Sequence, residues 1–231
     1  MRAPISVIVP TLNDASELPA SLTALIEGVE AGLIGELIIS DGGSKDHTRA
    51  IADDAGAIWV EGRPSRGAQF QRGAEVSRGD WLLFLHPDTR LEAGWSGPIS
   101  RALEETGAFH FRLTFRASGV LPSWVAGWAN LRSVVFKLPY GDQGLLVHRR
   151  DFTAVGGYPD VPVLEDLVIA RALRDKLREV PIRASSSAHV YTREGWILTG
   201  LRRVFLRLRY RLGAKPERLV KAYSGSDPSA N

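Results

Sequence analysis

Trp81-Leu-Leu-Phe-Leu-His-Pro-Asp-Thr-Arg90 is the stretch that decides the fold. Its apolar run, Trp81 to Leu85, stops abruptly at a short polar turn carrying one carboxylate, Asp88. A continuous apolar run of this kind suits a parallel strand buried on both faces. In open α/β sheets, ligands sit beyond the carboxyl ends of such strands. An acid in that turn is therefore placed to hold a metal ion against a phosphate. The plainer alternative is a turn in which Asp88 only caps the next segment.

Toward the N-terminus the same punctuation recurs. Ile5 to Val9 is an apolar, β-branched run closed by Pro10. Ser16 to Ala31 follows, with Leu18, Leu22, Leu25, Ile26 and Val29 at helical spacing. Leu37 to Ile39 reads as a second strand, closed by Asp41-Gly42-Gly43-Ser44. Asp46 or Thr48 is placed to cap a helix through Ala55, Ile58 to Val60 reads as a third strand, and Arg66 to Val76 as a helix. This β-α-β-α-β-α-β alternation predicts a parallel, doubly wound sheet. Right-handed crossovers then bring every strand-end loop to one edge.

Beyond Arg90 the character changes. Phe109, Phe111, Leu113 and Phe115 alternate with His110, Arg112 and Thr114, which predicts a half-exposed strand, antiparallel or on an edge. Leu121 to Phe136 reads as a tryptophan-rich helix, and Gly144 to His148 and the stretch around Val180 to Arg183 as strands. Asp166 to Leu177 reads as a helix with Ile169, Leu173 and Leu177 on one face. Ser224 to Asn231 is expected to fray.

The composition narrows the classes. The chain has 231 residues, 44% hydrophobic and 24% charged, enough for a full core in a single unit spanning 1–231. It has no cysteine, which excludes disulfides, thiolate metal sites and cysteine nucleophiles, and fits a reducing compartment. No apolar run approaches the roughly 18 to 20 residues of a membrane span, and the N-terminus enters a strand-like run at once. A cytoplasmic protein, with any membrane contact peripheral, is the expectation. The net charge of +3 is uneven: Arg202, Arg203, Arg207, Arg209, Arg211, Lys215, Arg218 and Lys221 face only Glu217. Such a cluster suggests an anionic partner surface; nucleic acid is not the expected partner.

Several loops carry candidate chemistry. The loop after the first strand, Pro10-Thr11-Leu12-Asn13-Asp14, has no Gly-x-Gly-x-x-Gly, and the chain has no Gly-Lys-Ser/Thr phosphate loop. Asp41 stands where it can accept hydrogen bonds from a base or ribose, beside two glycines that permit close approach. Arg66 can pair with a diphosphate as a fork of donors. Asp142 lies in Tyr140-Gly-Asp-Gln-Gly144, whose glycines suggest an unusual backbone path. Glu165-Asp166 opens a helix; acids there either serve the helix dipole or hold a general base at the sheet rim.

Taken together, Val9-Pro-Thr-Leu-Asn13, Ser40-Asp-Gly-Gly-Ser-Lys-Asp46, Arg66-Gly-Ala-Gln69, Leu85-His-Pro-Asp-Thr89, Tyr140-Gly-Asp-Gln-Gly144 and Leu164-Glu-Asp166 resemble, in order and spacing, the family-2 glycosyltransferases with the GT-A fold. The tail Leu212-Gly-Ala-Lys-Pro-Glu-Arg218 resembles a small bacterial subgroup labelled arsenosugar-biosynthesis glycosyltransferases. The resemblance implies an α/β GT-A (Rossmann-like) fold with a mixed, mainly parallel sheet. It also implies a nucleotide-sugar donor, a divalent metal (Mn2+ or Mg2+), a hydroxyl acceptor that is lipid-linked or small, and inversion at the anomeric carbon. By position, Pro10, Thr11, Asn13, Asp41, Arg66, Gln69 and His86 would line the nucleotide-sugar pocket. Asp88 would bind the metal as the last acid of the Asp-x-Asp signature, and His86 replaces its first Asp. His86 would then be a metal ligand or a hydrogen-bond partner of the ribose or diphosphate, and His189 a further ligand. Asp142 and Gln143 would lie on the acceptor side, with Asp166 as catalytic base beside Glu165. Residues 1–90 would form the nucleotide-sugar half, 91–190 the acceptor half and 191–223 C-terminal helices.

Two rival readings remain. A sugar nucleotidyltransferase shares the alternating start but places a glycine- and arginine-rich loop after its first strand, unlike Thr11 to Asp14. A catalytically inactive nucleotide-sugar-binding module would not need both Asp88 and Glu165-Asp166.

Trp196 to Leu212 is expected to be an amphipathic basic helix. Ile197, Leu201, Val204, Leu208 and Leu212 share a face that Leu198 and Phe205 widen, with Arg202, Arg203, Arg207 and Arg209 mainly off it. It would either pack that face on the core with its arginines in water, or meet an anionic membrane surface or a partner subunit.

Overall fold

The computed structural model describes residues 3–161 and 163–211. The four expected strands, β1 (Ile5–Thr11), β2 (Ile34–Asp41), β3 (Ile58–Glu61) and β4 (Trp81–Phe84), lie parallel in the order β3-β2-β1-β4. Between them run α1 (Leu18–Thr23), α2 (Ile26–Glu30), α3 (Thr48–Asp54) and α4 (Arg66–Val76). Then follow β5 (Arg90–Leu91), α5 (Ser96–Ala102), β6 (Ala108–Phe115) and α6 (Val120–Phe136). A 3₁₀ turn (Gly141–Gln143) leads into β7 (Leu145–His148) and α7 (Arg149–Ala154). The described chain ends with α8 (Glu165–Ala172), β8 (Leu177–Ser186), α9 (His189–Glu194) and α10 (Trp196–Arg211). The sheet continues from β4 as β7-β6-β8-β5.

Strand directions explain where the site lies. β4 and β6 are each antiparallel to β7, β6 is parallel to β8, and β5 runs against β8. All strands but β7 and β5 therefore point the same way and deliver their carboxyl ends to one rim. In register, Thr11 pairs with Asp41 and Ile8 with Phe84, so the His86–Asp88 turn stands level with the end of β1. Phe84 also pairs with Leu145, which sets the 3₁₀ turn before β7 at the same rim.

The centre of the sheet is buried on both faces. Along β1, Val7 and Val9 enter one apolar cluster with Leu18, Trp95 and Ile99, while Ile8 enters the other with Phe70, Phe84 and Phe152. A continuous apolar strand is stable only in this environment, which is why Trp81 to Leu85 reads as it does.

Several expectations are corrected. Ser16 to Ala31 is two short helices: Leu25 N and Gly28 N bond the carbonyls three residues back, of Leu22 and Leu25. The fully buried Trp95 lies across Gly28, where an added Cβ would fall 2.2 Å from its ring. Ile26 and Val29, expected on the buried stripe, are exposed. The strand beginning near Phe109 is antiparallel to β7 but not at an edge: it sits between β7 and β8 with α6 packed on it, and of its alternating polar residues His110 is buried while Arg112 is exposed and Thr114 half-buried. The helix expected over Asp166 to Leu177 ends at Ala172, and Leu177 opens the ten-residue β8. Ile169, Leu173 and Leu177 do share one apolar cluster, but a strand supplies the third of them.

The last helix also differs from one of its two readings. Thr199 and Leu206 are buried, whereas Ile197, Leu198, Leu201, Val204 and Phe205 are exposed. The apolar stripe is thus not what packs on the core. Leu212, the tail 212–218, Lys215, Arg218, Lys221 and Ser224 to Asn231 lie outside the described residues, as do the side chains of Arg207, Leu208 and Arg211. Among the described residues no helix is long and apolar enough to cross a membrane.

Candidate active site

The rim loops are tied to one another by side chains rather than by sheet bonds. Asp41 is fully buried; its Oδ1 accepts from Thr11 Oγ1 (2.8 Å) and Ser44 Oγ (2.5 Å), and its Oδ2 from Gly43 N (2.7 Å) and Ser44 N (2.6 Å). Asn13, at φ 58°, accepts at Oδ1 from Lys45 N while its own N donates to Ser44 Oγ. Gln69 donates Nε2 to the carbonyls of Thr11 (2.8 Å) and Ser40 (2.9 Å), stitching the ends of β1 and β2. Pro10 is buried in β1. Of the residues expected to line a nucleotide pocket, Asp41 and Gln69 thus spend their polar atoms on the loops themselves. Only Asn13 is exposed among Pro10, Thr11, Asn13, Asp41 and Gln69.

Opposite these loops stands a cluster of acids around one arginine. Arg66, half-buried in the first turn of α4, is close enough to shift the titration of Asp14, His86 and Glu165. Gly67 lets this helix start approach Pro159, whose carbonyl oxygen would stand 2.0 Å from an added Cβ. Gly67→Ala is therefore expected to displace the start of α4 and to cost about 1–3 kcal/mol, the usual range for overpacking. A thermal melt superposable on the wild type would contradict that packing.

Asp88 accepts at Oδ2 from Ser186 Oγ (3.0 Å) and Ser187 N (3.1 Å), so the end of β8 fixes it. Burial, and then the nearby Asp142, hold its pKa above the usual carboxylate range. His86 is buried, with Phe70 edge-on at 5.6 Å and the Gly141 backbone over its ring. Burial and Arg66 push its pKa down, so it is a neutral imidazole at pH 7. Asp142, in the 3₁₀ turn, accepts from Arg203 Nη1 at 3.4 Å. Gln143, expected toward an acceptor, is fully buried: its Oε1 accepts from Ser133 Oγ and Tyr140 N, and its Nε2 donates to Phe111 O. It is a scaffold for the turn that presents Asp142. His189 is exposed at the start of α9, two residues past the Ser187 that holds Asp88.

Glu165 and Asp166 open α8 but occupy different environments. Asp166 is half-buried, accepting at Oδ2 from Gly141 N (2.9 Å) and at Oδ1 from Leu167 N (2.7 Å). Glu165 is only 4% exposed, and its pKa is pushed up to about 7 by burial and then by Asp166. Sequence reading missed Asp14, which accepts at Oδ2 from Leu12 N and is pushed up to about 6, chiefly by burial, with Asp88 nearby. The acid after Asn13 was the available signal, but its pattern is that of any Asx turn.

These raised values have a sign. Glu165 has a folded-state pKa above its ordinary 4.5, so the folded chain binds the extra proton between those two values. Stability is then present at low pH and lost as pH rises from about 4.5 to about 7, by at most about 3 kcal/mol from this group. Asp14 and Asp88 act in the same direction. Glu165→Gln is expected to flatten the fall in urea midpoint over that window. A midpoint that rises with pH in the wild type contradicts the assignment.

A mainly parallel sheet with this acid-lined rim is the GT-A architecture. The glycosyl transferase family 2 model matches residues 6–139, so the chain belongs to that family. A PGL/p-HBAD biosynthesis glycosyltransferase of Mycobacterium bovis is 36% identical over 99 residues, covering 39% of this chain and 38% of the relative. Glucosyl-3-phosphoglycerate synthase of Mycobacterium tuberculosis is 33% identical over 93 residues, 36% of this chain and 28% of that protein. The matched stretch thus spans well under half the length of these relatives. A crystal structure of that synthase with Mn2+, UDP and phosphoglyceric acid superposes with a TM-score of 0.57 at 20% identity, over 79% of this chain and 70% of that one. S. aureus TarS 1–349 in complex with UDP-GlcNAc gives 0.61 at 13% identity, over 80% and 58%. These structural likenesses concern the fold.

Proposed function

We propose that the chain is an inverting glycosyltransferase that moves a sugar from a nucleotide-sugar donor to a hydroxyl acceptor by single displacement. The observation that carries the reading is the convergence of Arg66, His86, Asp88, Asp142, Glu165 and Asp166 on one rim of a family-2 fold. Residues 1–90 would hold the donor and 91–190 the acceptor, within a single unit. The likeness of the tail 212–218 supports a place in the arsenosugar-biosynthesis subgroup. A nucleotidyltransferase or an inactive binding module fits less well, because neither needs a general base fixed at the rim as Asp166 is.

A divalent metal fits the residues present. Among the described residues, no group of three His, Cys, Asp or Glu side chains stands ready to hold an ion. Mn2+ or Mg2+ in such enzymes is commonly bound by one or two carboxylates plus substrate phosphates and water, so a full protein cage is not needed. Asp88 offers the oxygen opposite the one held by Ser186 and Ser187, and neutral His86 offers a lone pair. His189 would need to swing from its exposed position. When bound, the ion would supply electrostatic stabilisation of the departing diphosphate.

The chain's own groups do the rest. Asn13 and the closed loop around Asp41 shape the nucleoside end, Arg66 presents donors to the diphosphate, and Asp166 takes the acceptor proton at the carboxylate. A hydroxyl is a weak nucleophile until that proton leaves. Burial and then the neighbouring Asp166 push the Glu165 carboxyl up to about 7, so it sets less negative charge beside that carboxylate than an exposed glutamate would.

A thermal-shift screen with UDP, GDP, CDP and dTDP sugars, with and without manganese, tests the reading, because binding stabilises by mass action. One donor is expected to raise the melting temperature, more so with manganese. No shift with any donor at saturating concentration contradicts it.

A further inference from the structure

α6 and α10 each turn an apolar stripe of four or more residues to solvent. In α6, Pro122, Ala126, Ala129 and Ser133 are buried, while Trp124, Trp128, Leu131 and Val135, spaced by three and four, are more than half exposed. In α10 the exposed set is Ile197, Leu198, Leu201, Val204 and Phe205. The two helices pack on each other. Both also hold the acceptor-side turn: Ser133 Oγ donates to Gln143 Oε1, and Arg203 Nη1 donates to Asp142 Oδ2. Monomeric proteins seldom expose apolar groups in such adjacent stripes without a use for them.

Charge identifies the occupant. By sequence the two helices carry six arginines, Arg132, Arg202, Arg203, Arg207, Arg209 and Arg211, and no carboxylate; Arg202 and Arg203 pair with Glu194 and Asp142, so two carboxylates stand against six arginines and the charge stays net positive. A second copy of this chain seated here about a two-fold axis would bring net positive charge against net positive charge. An anionic lipid surface matches both features, since tryptophan, leucine and phenylalanine enter the headgroup boundary while the net positive charge of the two helices is drawn to the anionic headgroups. We propose that α6 and α10 together seat the protein on an anionic bilayer, so that the acceptor is a hydroxyl held in the lipid headgroup layer beside Asp142. This rests on the glycosyltransferase reading for the acceptor, while the seating itself does not.

Co-sedimentation with vesicles tests the seating. Full-length protein is mixed with phosphatidylcholine vesicles or with an equimolar mixture of phosphatidylcholine and phosphatidylglycerol. Binding is expected only to the mixture, weakening as salt rises, and Trp124→Glu with Leu201→Glu should lower the partition coefficient at least about tenfold. Both sites are exposed, so the variant's melting curve and its donor-induced thermal shift should match the wild type. Failure to bind the mixture at low salt overturns the proposal. So does sedimentation-velocity evidence of a dimer that the two Glu substitutions dissociate while vesicles are ignored. If the wild type binds vesicles but no donor shifts its melt, the seating stands and the glycosyltransferase reading fails.

Discussion

Asp166→Asn is expected to lower sugar transfer by about 10² or more, with donor affinity close to the wild type. The carboxylate stands at the rim with Oδ2 on Gly141 N and Oδ1 on Leu167 N. Asn keeps one acceptor oxygen, so it holds one of these bonds and loses the other at a cost of about 1 kcal/mol. The fold tolerates that loss, but a neutral amide cannot take the acceptor proton. Single-turnover transfer at saturating donor is the check, since it isolates the chemical step. Transfer at near-wild-type rate would remove Asp166 from the base role. A larger loss in Glu165→Gln than in Asp166→Asn would reverse the two roles.

Asp88→Ala is expected to abolish the manganese-dependent gain in affinity for a nucleoside diphosphate and to reduce transfer by at least about 10². The side chain is pinned by Ser186 and Ser187, and its charge is already disfavoured by burial and by Asp142. A cation relieves that repulsion, so deleting the carboxylate removes both the ligand and the reason to bind one. His86→Ala should weaken the effect less, because a neutral imidazole contributes a lone pair but no charge. Calorimetry of diphosphate binding with and without EDTA decides. A wild-type affinity indifferent to EDTA would make the enzyme metal-independent and leave Asp88 a structural acid.

The first four strands were legible because each is an apolar run stopped by a polar turn, a pattern that burial on both faces enforces in β1 and β4, while β3 at the edge of the sheet is only half-buried. Their register then gathers Thr11, Asp41 and the His86–Asp88 turn without further information. The second half was harder. Ile169, Leu173 and Leu177 satisfy a helical period, yet one apolar cluster takes the third from a strand. Periodicity reports burial, not backbone. Alternation from Phe109 to Phe115 suggests an exposed face, which holds at Arg112 and fails at His110, buried in the interior of the sheet where α6 packs on this strand.

Within the site, the acids were legible as isolated residues before turns or helices. The amides were not. Gln69 and Gln143 sit in motifs that suggest ligand contact, but the carbonyls to which their Nε2 groups donate, of Thr11, Ser40 and Phe111, lie far away in sequence and leave no local signal. Asp41 looked open beside its glycines, and the structure closes the loop on both its oxygens. The described part of the α10 stripe, Ile197, Leu198, Leu201, Val204 and Phe205, is exposed. Which side packs was decided by Thr199 and Leu206, residues that a search for the most apolar face passes over.

The most direct test is a transfer assay with product analysis. The protein is incubated with the nucleotide sugar that shifts its melt, manganese and a panel of hydroxyl acceptors, and the products are read by mass and by the anomeric proton coupling in NMR. The account predicts release of the nucleoside diphosphate, an acceptor heavier by one sugar residue, and inverted anomeric configuration, all lost in Asp88→Ala. Cleavage of the donor at its diphosphate linkage, or transfer with retained configuration, would contradict it.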